Sequence, residues 1–324
     1  MTLIDGFGRS FHYLRLSVED ACNFRCRYCL PHGYHKTEAD PPLSVAEIGR
    51  LTRAFAQLGF WKVRLTGGEP MVRPDIVRIA ETVARTPGVR RLALSTNGYR
   101  LAELASNLKA AGVSAVNVSV DSLNASRFSE LTGHDSLKVV LNGIDRSLEL
   151  GLATKINVVL MKGLNDSEFG EFVELARERP LSVRFIELMP VADNKEFFAE
   201  RHLKAENLVN WLRENGWKES PRKEGDGPAR NFKKHAYNGS VGVIAPYASD
   251  FCGSCNRLRV TSRGRLRLCL FSEADHSLRS FLQADAQAPA LQERVKTLLG
   301  LKEVSHYLPE GKMGNTKHFA MIGG

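Results

Sequence analysis

The chain has no uninterrupted apolar stretch approaching the ~20 residues that a membrane-spanning helix needs, which excludes attachment by such a helix. It opens with no basic, then apolar, then small-residue leader, so secretion is not expected and the expected compartment is the cytoplasm. Cysteine is scarce, six in 324 residues. Disulfide-dense folds are usually much smaller, and a chain of this length buries a core without staples. Acidic residues are in deficit, 36 against 45 Lys and Arg, for a formal charge of +9. That excess suits a polyanionic partner. The basic residues are scattered, not gathered in a tail or on one helix, so charge alone does not choose between nucleic acid and a phosphate-bearing small molecule. With 43% hydrophobic and 25% charged residues, the rest of the composition is that of an ordinary globular protein of one large domain or two.

What cysteine there is lies in two groups of three. The first is Cys22, Cys26 and Cys29, a C-x3-C-x2-C spacing; the second is Cys252 and Cys255, a C-x2-C pair, followed by Cys269. Thiolates this close in sequence converge on one centre, so two trios imply two centres. Iron–sulfur clusters usually take four cysteines, so three leave one iron open, as a catalytic zinc keeps one position for substrate. Two plainer readings stand beside this. Six cysteines could form three disulfides in any of fifteen pairings, which a reducing compartment disfavours. Zinc is the better alternative for the second group, because C-x2-C is also half of a zinc site.

A strand–helix rhythm runs through the first two-thirds. Strands are expected near 12–18, 62–66, 90–95, 115–120, 154–160 and 182–188. A helix is expected from Ser44, whose hydroxyl and Glu47 make a capping box, with Ile48, Leu51, Phe55 and Leu58 on its apolar face. Further helices are expected near 75–86, 101–112, 136–150 and 166–178. Six such units predict a parallel sheet with helical crossovers, whose functional loops follow the strands. After about residue 190 the rhythm breaks. A helix near 203–215, a Gly-rich loop at 223–228 and strands near 230–237 and 240–245 precede a hairpin over 256–269 turning at Arg263 and Gly264. Folding it back sets Cys269 opposite about residue 258, about 10 Å along the strand from Cys255. Alternation puts Arg257 and Arg259 on one face, Leu258 and Val260 on the other. That is a solvated basic face, or, beside an open-iron cluster, a pair of anion ligands.

The first trio, with Tyr28 just before its last cysteine, resembles the signature of radical S-adenosylmethionine enzymes. The run Thr66, Gly67, Gly68, Glu69, Pro70 resembles that superfamily's glycine–glycine–glutamate motif, in which glycines admit close backbone approach and the carboxylate accepts from the methionine ammonium. The second trio, Asn256–Arg259 and the final Gly323 and Gly324 are similar to the GTP 3′,8-cyclase family of molybdenum cofactor biosynthesis. The likeness runs from Leu14–Val18 through Arg64–Pro70, Asn117–Ser122, Lys155–Asn157 and Phe185–Pro190 to the terminal glycines.

The resemblance implies an α/β fold, a partial (β/α)6 TIM-like barrel over 1–195, closed by an α+β region over 196–324 that carries a second iron–sulfur cluster and the Gly-Gly tail. It implies two [4Fe-4S] clusters, on Cys22, Cys26 and Cys29 and on Cys252, Cys255 and Cys269. Tyr28, Gly68, Ser119 and Met189 would contact S-adenosylmethionine; Arg15, Arg64, Ser95, Lys155, Arg257, Leu258 and Arg259 would contact GTP, with Arg257 and Arg259 also in the catalytic set. The implied reaction is radical abstraction at ribose C3′ and attack on guanine C8. Implied partners are an external electron donor, a second copy of the chain and a downstream cyclic pyranopterin monophosphate synthase; membrane and nucleic acid are not expected. Two positions depart from the family pattern: Ser95 stands where threonine is usual, with Thr96 as an alternative hydroxyl, and Ala21 where arginine is common. The tail either enters the active site or frays. Another radical enzyme with an auxiliary cluster, or a non-catalytic iron–sulfur or zinc redox module, are the competing readings.

Overall fold

The computed structural model describes residues 2–36 and 40–323, so Gly324 lies outside the described residues. A ribbon of β1 (Leu3–Ile4) and β2 (Ser10–Phe11) leads into β3 (Tyr13–Glu19), α1 (Val45–Gln57), β4 (Lys62–Gly67), α2 (Ile76–Ala84), β5 (Arg91–Thr96), α3 (Leu101–Ala110) and β6 (Val113–Ser119). Then follow α4 (Ala125–Thr132), α5 (Leu137–Glu149), β7 (Ala153–Leu160), α6 (Phe169–Glu178) and β8 (Ser182–Glu187). Strands β3 to β8 lie side by side in chain order, all parallel, which is the expected six-unit partial barrel.

The helix at Ser44 has the expected box: Glu47 N–H donates to Ser44 Oγ at 3.2 Å and Ser44 N–H to Glu47 Oε2 at 2.8 Å. Ile48, Leu51, Phe55 and Leu58 are all buried. Helix α4 was not foreseen. It is a short, Ser-rich segment whose apolar pattern is weak, set by Asn124 accepting from Arg127 N–H and stopped by Gly133 at φ +67°.

The last third contributes α7 (Lys195–Arg201), α8 (Glu206–Glu214), β9 (Lys218–Ser220), β10 (Arg230–Lys233), β11 (Ser240–Ile244), β12 (Arg257–Val260), β13 (Arg265–Arg267), β14 (His276–Ser277) and α9 (Ala288–Leu299). These strands join the same sheet at both edges. β12 pairs with β3 and β11 with β8, both in parallel, so eight parallel strands run β12-β3-β4-β5-β6-β7-β8-β11. Antiparallel strands finish each side, and the two outer strands, β14 and β9, are not paired with each other, so the barrel stays open. The hairpin of β12 and β13 aligns Arg259 with Arg267; continuing that register sets Cys269 opposite Arg257, one residue from the expected position.

The helix-facing side of the inner strands is apolar. Leu14, Leu16 and Val18 of β3, Val63 and Leu65 of β4, and Leu258 and Val260 of β12 enter one core. The opposite faces carry Tyr13, Arg15, Lys62, Arg64, Arg257 and Arg259. A complete (β/α)8 barrel fills its interior with bulky branched residues. Here much of that interior carries basic side chains.

Candidate active site

Parallel register builds the site in layers. Arg257, Tyr13, Lys62 and Arg91 stand abreast on β12, β3, β4 and β5; Arg259, Arg15 and Arg64 form the next row. Lys155 sits beside Asn117, and Asn157 beside Arg184. These side chains line a cavity of about 480 Å³ together with Met189, Phe251 and all three cysteines of the second trio. The expected residues Arg15, Arg64, Lys155, Arg257 and Arg259 are thus brought together. Lys62, Arg91 and Arg184 line the same cavity and were missed.

Burial and mutual repulsion depress the pKa of several of these cations. Burial, then neighbouring cations, bring Lys155 down to about 7 and Lys62 to about 8, although the Tyr13 hydroxyl works the other way on Lys62. Burial with Arg15 and Arg257 alongside brings Arg259 to about 9, and burial with Arg64 nearby brings Arg184 to about 10. Arg15 is likewise lowered to about 10, chiefly by burial. Cations crowded in low dielectric repel strongly, and a polyvalent anion relieves this.

Ser95 Oγ accepts from Arg64 Nη1 at 3.1 Å, so its hydroxyl adjoins the cations. Thr96 is committed elsewhere, donating to Glu69 Oε1 at 2.9 Å. Leu258 turns its side chain into the hydrophobic core, so any ligand contact it makes comes through its backbone.

The first trio occupies the loop after β3, at the carboxyl rim of the sheet. The glycine–glutamate run is stapled to it: Gly68 N–H donates to Glu19 O and Glu69 N–H to Ala21 O, each at 2.8 Å. A Cβ at Gly68 would collide with the carbonyl oxygens of Asp20 and Ala21, so glycine is required there. Ala21 therefore contributes a backbone acceptor. The Glu69 carboxylate accepts from Asn97 N–H at 2.6 Å and Met71 N–H at 2.9 Å, while its burial brings it up to about 7. Tyr28 donates its hydroxyl to Asp121 Oδ2 at 2.9 Å. Asn194, also missed, ties Tyr28 to Met189, donating to their carbonyl oxygens at 2.7 and 3.1 Å. Ser119 ends β6 on the same rim, beside Asn157.

The two trios approach one apolar cluster. Cys29, Tyr28, Met189 and Cys269 all pack against it, around Leu270, Phe271, Phe319 and Ile322. Phe319 and Ile322 belong to the tail, whose Phe319 and Ala320 amides donate to the Cys29 sulfur. Arg15 donates to Gly323 O, and Gly323 lies against Thr66 at φ +65°. The described part of the tail is buried in the site.

All six thiols are unpaired. Burial pushes Cys22 up to about 11 and Cys29 to about 12; at Cys255 burial also raises, but Arg257 and Lys302 prevail and draw it below the ordinary thiol. Among the described residues, no three His, Cys, Asp or Glu side chains converge tightly enough for a single metal ion.

Residues 16–176 match the profile of the Radical SAM superfamily, and residues 181–308 that of Molybdenum Cofactor Synthesis C. The chain is similar to a GTP 3′,8-cyclase of Stenotrophomonas maltophilia (strain R551-3), 51% identical over 99% of both chains. It is also similar to those of Psychromonas ingrahamii, 48% identical over 99% of this chain and 95% of the relative, and Vibrio cholerae, 46% over 99% and 97%. Among solved structures, Streptococcus suis SuiB bound to precursor peptide SuiA superposes with TM-score 0.60 at 14% identity, covering 96% of this chain and 76% of that one. At that identity the likeness speaks for the fold alone.

Proposed function

The chain belongs to the GTP 3′,8-cyclase family of the radical S-adenosylmethionine superfamily, and from that premise we propose how its residues divide the work. The reaction is conversion of GTP to (8S)-3′,8-cyclo-7,8-dihydroguanosine 5′-triphosphate, the first step of molybdenum cofactor biosynthesis. The observation that carries the assignment of sites is the cationic cavity bordered by the second thiol trio.

Cys22, Cys26 and Cys29 would hold the family's [4Fe-4S] cluster, with Tyr28, Gly68, Ser119 and Met189 around S-adenosylmethionine. When bound and reduced, that pair supplies a 5′-deoxyadenosyl radical able to take hydrogen from ribose C3′. Cys252, Cys255 and Cys269 would hold a second cluster, which would supply a coordination site for the guanine base.

Arg15, Lys62, Arg64, Lys155 and Arg184 would grip the triphosphate, with Ser95 beside Arg64. Each charge-assisted hydrogen bond contributes about 1.5–3 kcal/mol where water is excluded. Arg257 and Arg259 project from the strand that follows Cys255, so they would orient the substrate between base and phosphates. Fixing the ribose in this way selects intramolecular addition to C8, because orientation substitutes for collision. The tail, from Phe319 to Gly323, closes the chamber on the Cys29 side and keeps water from a reactive carbon centre. On this reading residues 1–195 form the cofactor core, and 196–324 supply the second trio and the closing tail. An external electron donor, a homodimer, transfer of product to a cyclic pyranopterin monophosphate synthase and a cytoplasmic location follow the family pattern. No helix among the described residues is long and apolar enough to cross a membrane.

The test is anaerobic reconstitution with iron and sulfide. About eight irons per chain, GTP-dependent 5′-deoxyadenosine and a cyclised nucleotide are expected. 5′-Deoxyadenosine formed equally well without GTP would point to another substrate, and no cleavage at all to a redox module.

A further inference from the structure

We propose that Tyr13 is a positioning residue for the substrate anion: its phenol oxygen and ring hold Arg64 and Lys62 in one arrangement before the substrate arrives. This rests on the GTP reading above. Tyr13 stands on β3, 3% exposed, directly between Arg257 and Lys62 in the register of the sheet. Its oxygen accepts from Arg64 Nε at 2.5 Å. Arg64 Nη1 donates to Leu94 O at 3.2 Å and to Ser95 Oγ at 3.1 Å, so Arg64 is held from two neighbouring strands. The Lys62 ammonium sits 4.3 Å from the Tyr13 ring centroid and donates to Gly225 O at 2.6 Å.

The geometry answers a physical need. Long cationic side chains facing one another in a buried space would swing apart, and a substrate would have to order them again at an entropic cost. A hydroxyl among them accepts from one cation and presents its ring face to a second. The charge environment agrees. Burial alone would raise the hydroxyl, but Arg64, Arg15 and Lys62 together bring it down to about 6, making it a partial counter-charge. Tyr13 thus acts through its neighbours and touches no reacting atom.

The test is equilibrium binding of GTP to the reconstituted protein, as Tyr13→Phe, Arg64→Ala and the double variant. Tyr13→Phe keeps the ring and its packing; it is expected to weaken GTP about tenfold, the size of one hydrogen bond to a charged group. Iron content, melting temperature and S-adenosylmethionine affinity are expected to stay at parent values. In the Arg64→Ala background the same change is expected to cost less than about twofold, because the partner through which it acts is gone. Tyr13→His, which retains an acceptor, is expected to recover part of the loss. Fully additive effects, or unchanged GTP affinity in Tyr13→Phe, would overturn the inference while leaving the cyclase reading intact. A parent protein that binds no GTP would overturn both.

Discussion

Arg15 and Arg259 stand abreast on adjacent parallel strands, two guanidinium groups from opposite ends of the chain facing one cavity. Like charges placed directly across a strand pair destabilise it, and burial intensifies the effect. The fold tolerates this juxtaposition, and a bound polyanion turns it from a burden into affinity.

Arg259→Ala should therefore separate stability from function. Without nucleotide the variant is expected to melt a few degrees higher than the parent, since a buried and partly uncompensated cation is gone. Its GTP affinity should fall about tenfold or more, with S-adenosylmethionine binding unchanged. Calorimetric melting with and without GTP checks both. A lower melting temperature in the nucleotide-free variant would mean that Arg259 is structural.

GTP affinity should depend on pH with a defined sign. Lys155 titrates near 7 and Lys62 near 8 in the free protein, both held down first by burial. A bound anion favours their charged forms, so each must take up a proton when GTP binds above those values. Affinity is thus full below about pH 7 and falls as pH rises, by roughly tenfold or more between pH 7 and 8.5. Lys155→Arg, whose guanidinium stays charged, should flatten the lower part of the curve. A parent curve that is level over that range would remove these lysines from the site.

The tail offers a steric test. Gly323 holds a left-handed φ of +65° and any Cβ there would enter Thr66. Gly323→Val is expected to lift the tail, losing the Arg15 contact, and to reduce cyclised product at least about tenfold through a poorly sealed chamber. Carboxypeptidase should trim the variant faster than the parent. Parent-level product formation from a demonstrably displaced tail would show that closure is dispensable.

The two thiol trios should fail independently. Gly68→Ala drives a methyl into the Asp20 and Ala21 carbonyls and so disrupts the first loop; Cys255→Ser removes one ligand from the second. Each is expected to lower bound iron by about half. Only Cys255→Ser should retain S-adenosylmethionine binding. Loss of all iron in either variant would mean that the centres assemble as one.

Much of the site was legible because its chemistry is local in sequence. Cys22 to Cys29 and Gly67 to Glu69 sit on short loops after strands, and spacing alone places such side chains near each other. Arg257 and Arg259 were readable as a pair for the same reason, since alternation sends both to one face. Lys62, Arg91 and Arg184 were not, because a single basic residue in a strand looks like any solvated position until its neighbours are known. Tyr13 and Asn194 carried no signal at all. A tyrosine in a strand is usually core, and the Asn194 link between Tyr28 and Met189 spans distant segments.

Hydrophobic periodicity and cysteine spacing by themselves determined that this chain makes a parallel β/α sheet and carries two groups of three thiols, because both depend on residues a few positions apart. Only the tertiary structure decided that β12 and β11 extend the sheet from both edges, so that the second trio and a ring of buried cations line one chamber, with the tail bonded to Arg15 beside it. Strand order follows from which edges find a hydrogen-bonding partner, and that is a property of the folded sheet as a whole.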